Sequence, residues 1–173
     1  MRVVLHSCCG VCMAGAATQL KDEDYEVIGY FFNPNIHPSD EYVKRFDAVK
    51  TIAKELGIPL VVADYDPAWW LMETASLAAE KEGGRRCQLC YRIRLQKTAE
   101  YMNEINADFF TTTLTIGPQK AADIINKIGR EIGGNRFLAR DFKKRDGYKK
   151  ANMLARQLGI YRQHYCGCMY SVP

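Results

Sequence analysis

"RVVLHSCCGVCMAGAATQLK", residues 2–21, decides the fold. Val3, Val4 and Leu5 form a short apolar run of the kind a buried strand shows. From Met13 onward, small and apolar residues recur as in a helix packed closely on a sheet. Cys8, Cys9 and Cys12 stand where strand passes into helix.

The same order repeats along the chain. "YEVIGYFF" (25–32) reads as a second strand, closed by the turn-rich "NPNIHPSD" (33–40). Ser39 or Asp40 can cap the next helix, whose Tyr42, Phe46, Val49, Ile52, Ala53 and Leu56 share one face before Gly57 ends it. "IPLVVADY" (58–65) is a third strand, and "PAWWLMETASLAAEKE" (67–82) is helical. A long helix is expected from near Cys87 to Asn106, with Tyr91, Leu95, Ala99 and Met102 along one stripe. "ADFFTTTL" (107–114) is a fourth strand, "PQKAADIINKIGREIG" (118–133) a helix, "NRFLAR" (135–140) a last strand and "YKKANMLARQLG" (148–159) a last helix. Alternating strands and helices predict a doubly wound, mostly parallel α/β sheet. With no linker, repeat or low-complexity tract, residues 1–173 are expected to form a single domain. Ligands in such sheets sit at the carboxyl ends of the strands, where "HSCCGVC", "NPNIHP" and "TTTLTIGPQK" fall.

No apolar run approaches the roughly 20 residues of a membrane helix, and "MRVVLHS" is too short to be a signal peptide. The expected location is the reducing cytoplasm, with no membrane partner. There seven cysteines point to metal ligands or redox-active thiols rather than structural bridges. The net charge of +4 is unevenly spread: Arg140 to His164 holds eight basic and two acidic residues. Such a patch suits phosphates, though a solvated face has the same composition.

Cys87 and Cys90 open a helix, where thiols three apart share a face. Arg85, Arg86 and the helix N-terminus favour an anionic centre there. Compact zinc modules keep their ligand pairs about a dozen to twenty residues apart. Cys90 and Cys166 are much further apart, so a zinc ribbon is disfavoured while a fold-bridging zinc site stays open. A 4Fe-4S cluster takes four thiolates from separate segments, and Cys8, Cys9, Cys87 and Cys90 make four. Cys8 and Cys9 can converge only where the strand has broken, which Gly10 permits. Cys12 is a further candidate ligand, in place of one of them or for a second metal. Cys166 and Cys168 stand near the limit for a bridge in extended chain, about 7 Å. A disulfide bent at Gly167 would be strained and easily reduced, hence redox-active.

"LHSCCGVC", "FFNPNIHP", "CQLCYRIRL", "FFTTTLTIGPQK" and "YRQHYCGCMYS" together resemble the cobalamin-independent epoxyqueuosine reductases of the QueH type. The likeness runs through nearly the whole chain. One departure is Gly10-Val11, where the family usually has Ala-Pro. The resemblance implies a HUP-like sheet, a 4Fe-4S cluster and removal of the epoxide oxygen of epoxyqueuosine in tRNA to give queuosine. It implies Cys8, Cys9, Cys87 and Cys90 as cluster ligands and Cys166 with Cys168 as a redox-active disulfide pair. A second metal ion, iron, is an open expectation; cobalamin and ATP are not expected.

The reaction consumes two electrons and two protons. It needs an external electron donor and a proton donor within reach, for which His37, Tyr91, His164 and Tyr165 are placed. Asn33 and Asn35 are candidates for the cyclopentane diol, and Thr111, Thr112 and Thr113 are strand residues with a weaker claim. The expected partner is tRNA carrying epoxyqueuosine at the anticodon wobble position. Lys143, Lys144, Arg145, Lys149 and Lys150 suit its phosphates, and Tyr161 or Arg162, like Tyr165, suits base stacking. The alternatives are an iron–sulfur tRNA-thiolating enzyme and a zinc-bound RNA-binding module. Against thiolation, "HSCCGVCM" lacks the Ser-Gly-Gly-x-Asp-Ser loop that binds ATP in those enzymes.

Overall fold

The computed structural model describes residues 1–117, 121–144 and 146–172. Strands β1 (Arg2–His6), β2 (Glu26–Phe31), β3 (Leu60–Val62) and β4 (Phe109–Thr112) form one parallel sheet in the order β3-β2-β1-β4. Central β1 pairs Val4 with Ile28 on one side and with Phe110 on the other.

Alternation along β1 sorts the helices. Val3 and Leu5 enter the core shared with α1 (Gly10–Asp22), α2 (Ser39–Glu55) and α6 (Gly147–Gln157). Val4 enters the opposite core, against α4 (Arg85–Glu104) and α5 (Ala122–Gly133). Both faces are covered, so the strands read as apolar runs rather than alternating ones. Helix α3 (Pro67–Thr74) packs on α4, and its Trp70 forms a small third cluster with Cys90 and Cys168. Among the described residues, no helix is long and apolar enough to cross a membrane.

Three local expectations differ. "NRFLAR" forms a single parallel bridge, Phe110 to Phe137, rather than a strand. Arg136 is drawn away to Asn103 and the carbonyls of Ala107 and Asp108, and only the Leu138 N–H continues the pairing, to Phe110 O at 2.9 Å. Pro38, not Ser39 or Asp40, caps α2, with no side-chain cap bond. Asp40 and Glu41 instead lie in its first turn, where acidic groups suit the helix dipole. The helical stretch after Pro67 ends at Thr74 and continues as one 3-10 turn, Ala75–Leu77. The start of "PQKAADIINKIGREIG", residues 118–120, lies outside the described residues.

Candidate active site

β1 ends at His6, although the Ser7 N–H still donates to Tyr30 O at 2.9 Å. The chain then turns through Cys8 into the extended Cys9, which caps α1 with its own sulfur: Cys12 N–H donates to Cys9 Sγ at 3.3 Å. The Sγ atoms of Cys8, Cys9 and Cys12 lie within 4.8 Å of one another. Ligands on one tetrahedral ion with metal–sulfur bonds of about 2.3 Å stand about 3.8 Å apart. The three thiols thus fit a common metal centre, and Cys12 belongs with Cys8 and Cys9.

Gly10 does something other than break the strand, which has already ended. A Cβ there would lie 2.8 Å from Ala48 Cβ and 2.9 Å from both Ala48 C and O. The missing side chain lets α1 lie against α2.

The three thiols divide one environment unequally. Cys8 is held well below the usual thiol range by hydrogen bonds from Cys12 and Cys9, against the effect of burial and with help from the Thr113 hydroxyl at 3.3 Å. Cys9 is pushed up chiefly by burial, and Cys12 chiefly by its bond to Cys8. Of the three, Cys8 gives up its proton most readily. Gln163 Nε2 donates to Cys9 Sγ at 2.9 Å, bringing the C-terminal loop onto this centre. Buried His6 is pushed down to about 4, first by burial and then by Arg94. It links Thr112 Oγ1 at 2.9 Å to Phe32 O at 3.1 Å and acts as a neutral strut at the strand ends.

Cys87 and Cys90, buried in the first turns of α4, meet Cys166 and Cys168 around a cavity of about 10 Å³, the room of one water molecule. Trp70, Arg86, Tyr91 and Arg94 complete its wall. The cations next to the C-x-x-C pair are committed elsewhere: Arg85 pairs with Glu80, and Arg86 holds the carbonyls of Leu77, Ala78 and Glu80. Besides Arg86, the cavity wall holds a second cation, Arg94, 2 % exposed, with Nε on Cys90 O at 3.3 Å. Burial alone would lower its proton affinity; Cys90, Cys166 and Cys8 more than restore it. Arg94 Nη2 and Trp70 Nε1 have no hydrogen-bond partner among the described residues. Cys168 is pushed up by its bond to Cys166 and then by burial, so it retains its proton.

The proton-donor candidates separate. Tyr91 lines the cavity. His37 packs its ring 5.9 Å from Trp70, bonds Asn35 O through Nδ1 at 2.8 Å and leaves a buried Nε2 unpartnered among the described residues. The Tyr165 hydroxyl donates to His37 O, and His164 is exposed. Asn33 and Asn35 are buried; Asn33 Nδ2 donates to Ser7 O at 2.9 Å and its side chain also interacts with His6, while Asn35 Oδ1 has no hydrogen-bond partner among the described residues. Of the threonines, Thr113 serves Cys8 and Thr112 serves His6, whereas Thr111 bonds Leu138 O and is structural.

In the basic segment Lys144, Lys149 and Lys150 are exposed, and Lys143 lies 3.6 Å from Asp141. Arg145 lies outside the described residues. Tyr161 donates to Glu41 and Arg162 to the Tyr148 hydroxyl, so both are engaged within the protein.

Residues that the sequence reading passed over are Arg94, Trp70, Gln163 and the Glu41–Arg45 pair. Arg94 alone carried a signal: a charge four residues after Cys90, beside Leu95 on the apolar stripe of α4.

A family model described as "Epoxyqueuosine reductase QueH" matches residues 3–173. The Streptococcus pyogenes serotype M1 protein of that name is 34 % identical over 178 residues, 98 % of this chain and 69 % of its own length. The Thermotoga maritima protein of that name is 31 % identical over 176 residues, 98 % of this chain and 90 % of its own. Among solved structures, a predicted subunit of tRNA methyltransferase from Methanocaldococcus jannaschii superposes with TM-score 0.60 and 18 % identity, over 90 % of this chain and 74 % of that one. The U34-tRNA thiolase NcsA from Methanococcus maripaludis, with its 4Fe-4S cluster, superposes with TM-score 0.60 and 17 % identity, over 100 % of this chain and 62 % of that one. These two likenesses concern the HUP-like fold alone.

Proposed function

This chain belongs to the epoxyqueuosine reductase QueH family, whose members are oxidoreductases, and on that premise we propose that it removes the epoxide oxygen of epoxyqueuosine in tRNA to give queuosine. The observation that carries the reading is a pair of thiol groups, Cys8, Cys9 and Cys12 where β1 has ended and Cys87, Cys90, Cys166 and Cys168 around one small cavity, with buried Arg94 electrostatically linked to both.

The donor set fits a thiolate-bound metal centre: the three sulfurs lie within 4.8 Å, the Cys8 thiol is held well below the usual thiol range by its neighbours' hydrogen bonds, and two more buried thiols stand on α4. We propose Cys8, Cys9, Cys87 and Cys90 as ligands of a 4Fe-4S cluster, and Cys12, beside Cys8 and Cys9, as a ligand of a further metal next to it. Such a cluster would supply single electrons, and a Lewis acid for an epoxide oxygen would come from the further metal, which keeps an open position.

The chain's own groups do the rest. Asn33 and Asn35 offer carbonyl oxygens to the cyclopentane hydroxyls. Arg94 Nη2 and Trp70 Nε1 offer donors where the epoxide oxygen gains charge, and their burial strengthens them. Cys166 and Cys168 give up two electrons and two protons as they join in a disulfide. The epoxide takes these up as its oxygen leaves as water and an alkene remains. Tyr91, on the cavity wall, relays a proton to that oxygen. An external two-electron donor then restores the dithiol, and the exposed lysines of α6 hold the tRNA backbone.

The test is an anaerobic assay of iron-reconstituted protein on tRNA bearing epoxyqueuosine, with a low-potential reductant and neither ATP nor cobalamin, followed by nucleoside mass spectrometry. Queuosine is expected. An intact epoxide in the presence of a 4Fe-4S cluster refutes the reading and makes ATP-dependent thiolation the next reaction to assay.

A further inference from the structure

Three consecutive carbonyls of the Cys166–Cys168 turn are held from outside it. Arg45 Nη2 donates to Tyr165 O and Nη1 to Cys166 O, both at 3.0 Å. The His37 N–H donates to Gly167 O at 2.7 Å. Arg45 also stands over the Tyr165 ring, 5.3 Å from its centroid. Its Nε is fixed by Glu41 Oε1 at 2.6 Å, and Glu41 Oε2 accepts from the Tyr161 hydroxyl at 2.6 Å. Arg45 and Glu41 are 2 % and 7 % exposed. Gly167 has φ +114°, and a Cβ there would lie 2.8 Å from Arg45 Nη1.

Burying an ion pair costs desolvation that its attraction barely offsets, so general stability is a poor account of this one. Its donors are spent on one short turn, the one that carries two thiols. We infer that Glu41 and Arg45 are positioning residues for Cys166 and Cys168: they hold the turn in its dithiol shape and so set how readily the pair is oxidised. The inference rests on the proposed redox role of that pair. The two thiols are already in hydrogen-bond contact, and drawing their sulfurs from that contact to a covalent bond of about 2.05 Å shifts the turn that carries them. That shift disturbs carbonyls that Arg45 holds in the dithiol form. The clamp therefore favours the dithiol and leaves the disulfide easy for an external donor to reduce.

The test measures the Cys166–Cys168 equilibrium in the purified protein, anaerobically, across glutathione redox buffers, with acid quench, alkylation and peptide mass spectrometry. In the reaction each cysteine loses its thiol hydrogen, the sulfurs bond, and oxidised glutathione takes both electrons to become two reduced molecules. In Arg45→Met the equilibrium constant for the disulfide should rise about tenfold, about 30 mV for this two-electron couple. Arg45→Lys, which keeps the charge without the fork, should fall between it and wild type. Tyr161→Phe, which removes one bond to Glu41, should shift the same way by less, and it carries the test if Arg45→Met does not fold. Folded variants with a wild-type constant, whatever their melting temperature, overturn the inference and leave the redox reading standing, as does a shift in the opposite direction. A wild-type protein that forms no Cys166–Cys168 disulfide in any buffer removes the redox reading, and the inference with it.

Discussion

Gly10→Ala tests whether the proposed metal centre depends on the spacing of two helices. The added Cβ would meet Ala48 Cβ at 2.8 Å and Ala48 C and O at 2.9 Å, against an ordinary contact of 3.4–4 Å. Two of those atoms are backbone, so no rotamer relieves the clash and α1 must move off α2. Overpacking of this kind costs about 1–3 kcal/mol. Alanine recovers at most about 1 kcal/mol through helix propensity, less at the first helical position. The net expectation is a loss of about 1–2 kcal/mol, or roughly 2–8 °C in Tm for a chain of this length. The same movement carries Cys9, which caps α1, and Cys12, in its first turn, away from Cys8, which follows the end of β1. Iron retained under a chelator should therefore fall together with Tm. Differential scanning fluorimetry and iron analysis after chelation read both. A variant that melts at or above the wild-type temperature and keeps its iron would refute the reasoning, although the family usually places alanine at this position.

The other predictions concern charge and ligands. Arg94→Met should destabilise the metal-free protein in urea, by up to about 3–5 kcal/mol, because it removes a buried cation that the thiols more than compensate and leaves them without it. It should also speed iron loss to a chelator, and unchanged iron retention would count against Arg94 as the counter-charge of the thiol centre. Asn33→Ala loses the bond to Ser7 O and should cost about 1–3 kcal/mol by urea unfolding, with KM raised more than kcat is lowered. A lowered kcat at constant KM would remove Asn33 from substrate binding. Lys149→Ala and Lys150→Ala should each reduce the slope of log affinity for tRNA against log salt by about 0.7–1, with little change in Tm. Slopes equal to wild type would leave α6 as a solvated face.

The main elements were legible because β1, β2 and β4 are buried on both sides, which leaves apolar runs that composition alone exposes. "NRFLAR" has the same look, but whether a short run becomes a strand depends on the neighbour it meets, and only Phe137 meets one. The thiols were legible by type and spacing; their grouping was not. Cys12 joins Cys8 and Cys9 because Cys9 caps the helix with its sulfur, a choice no residue pattern announces. Glu41 and Arg45 are spaced like an ordinary surface pair on an amphipathic helix. They are buried because a loop from 120 residues further along the chain closes over them. Arg94 was readable, since a charge on the apolar stripe of α4 has no solvent to reach.

The two thiol sets stand on different kinds of support, and the difference matches the chemistry proposed for each. Cys8 and Cys9 follow a central strand paired on both sides, and Cys12 lies in the first turn of a helix that Cys9 itself caps. Donors to a metal must keep their spacing as electrons pass, and a strand end wedged against a helix start resists change. Cys166 and Cys168 lie on irregular chain without sheet bonds, held through backbone carbonyls by one guanidinium and one N–H. A dithiol must bring its sulfurs together on oxidation, and carbonyl hydrogen bonds can lengthen or break and re-form where packed strands cannot. Arg94 belongs to neither support: it is fixed on α4 and feels thiols of both sets. Among the described residues it is a charged group through which a change at Cys166 would alter the field at Cys8. A disulfide at Cys166 and Cys168 withdraws one of the sulfurs that hold Arg94, leaving its charge to be met by Cys8 and Cys90.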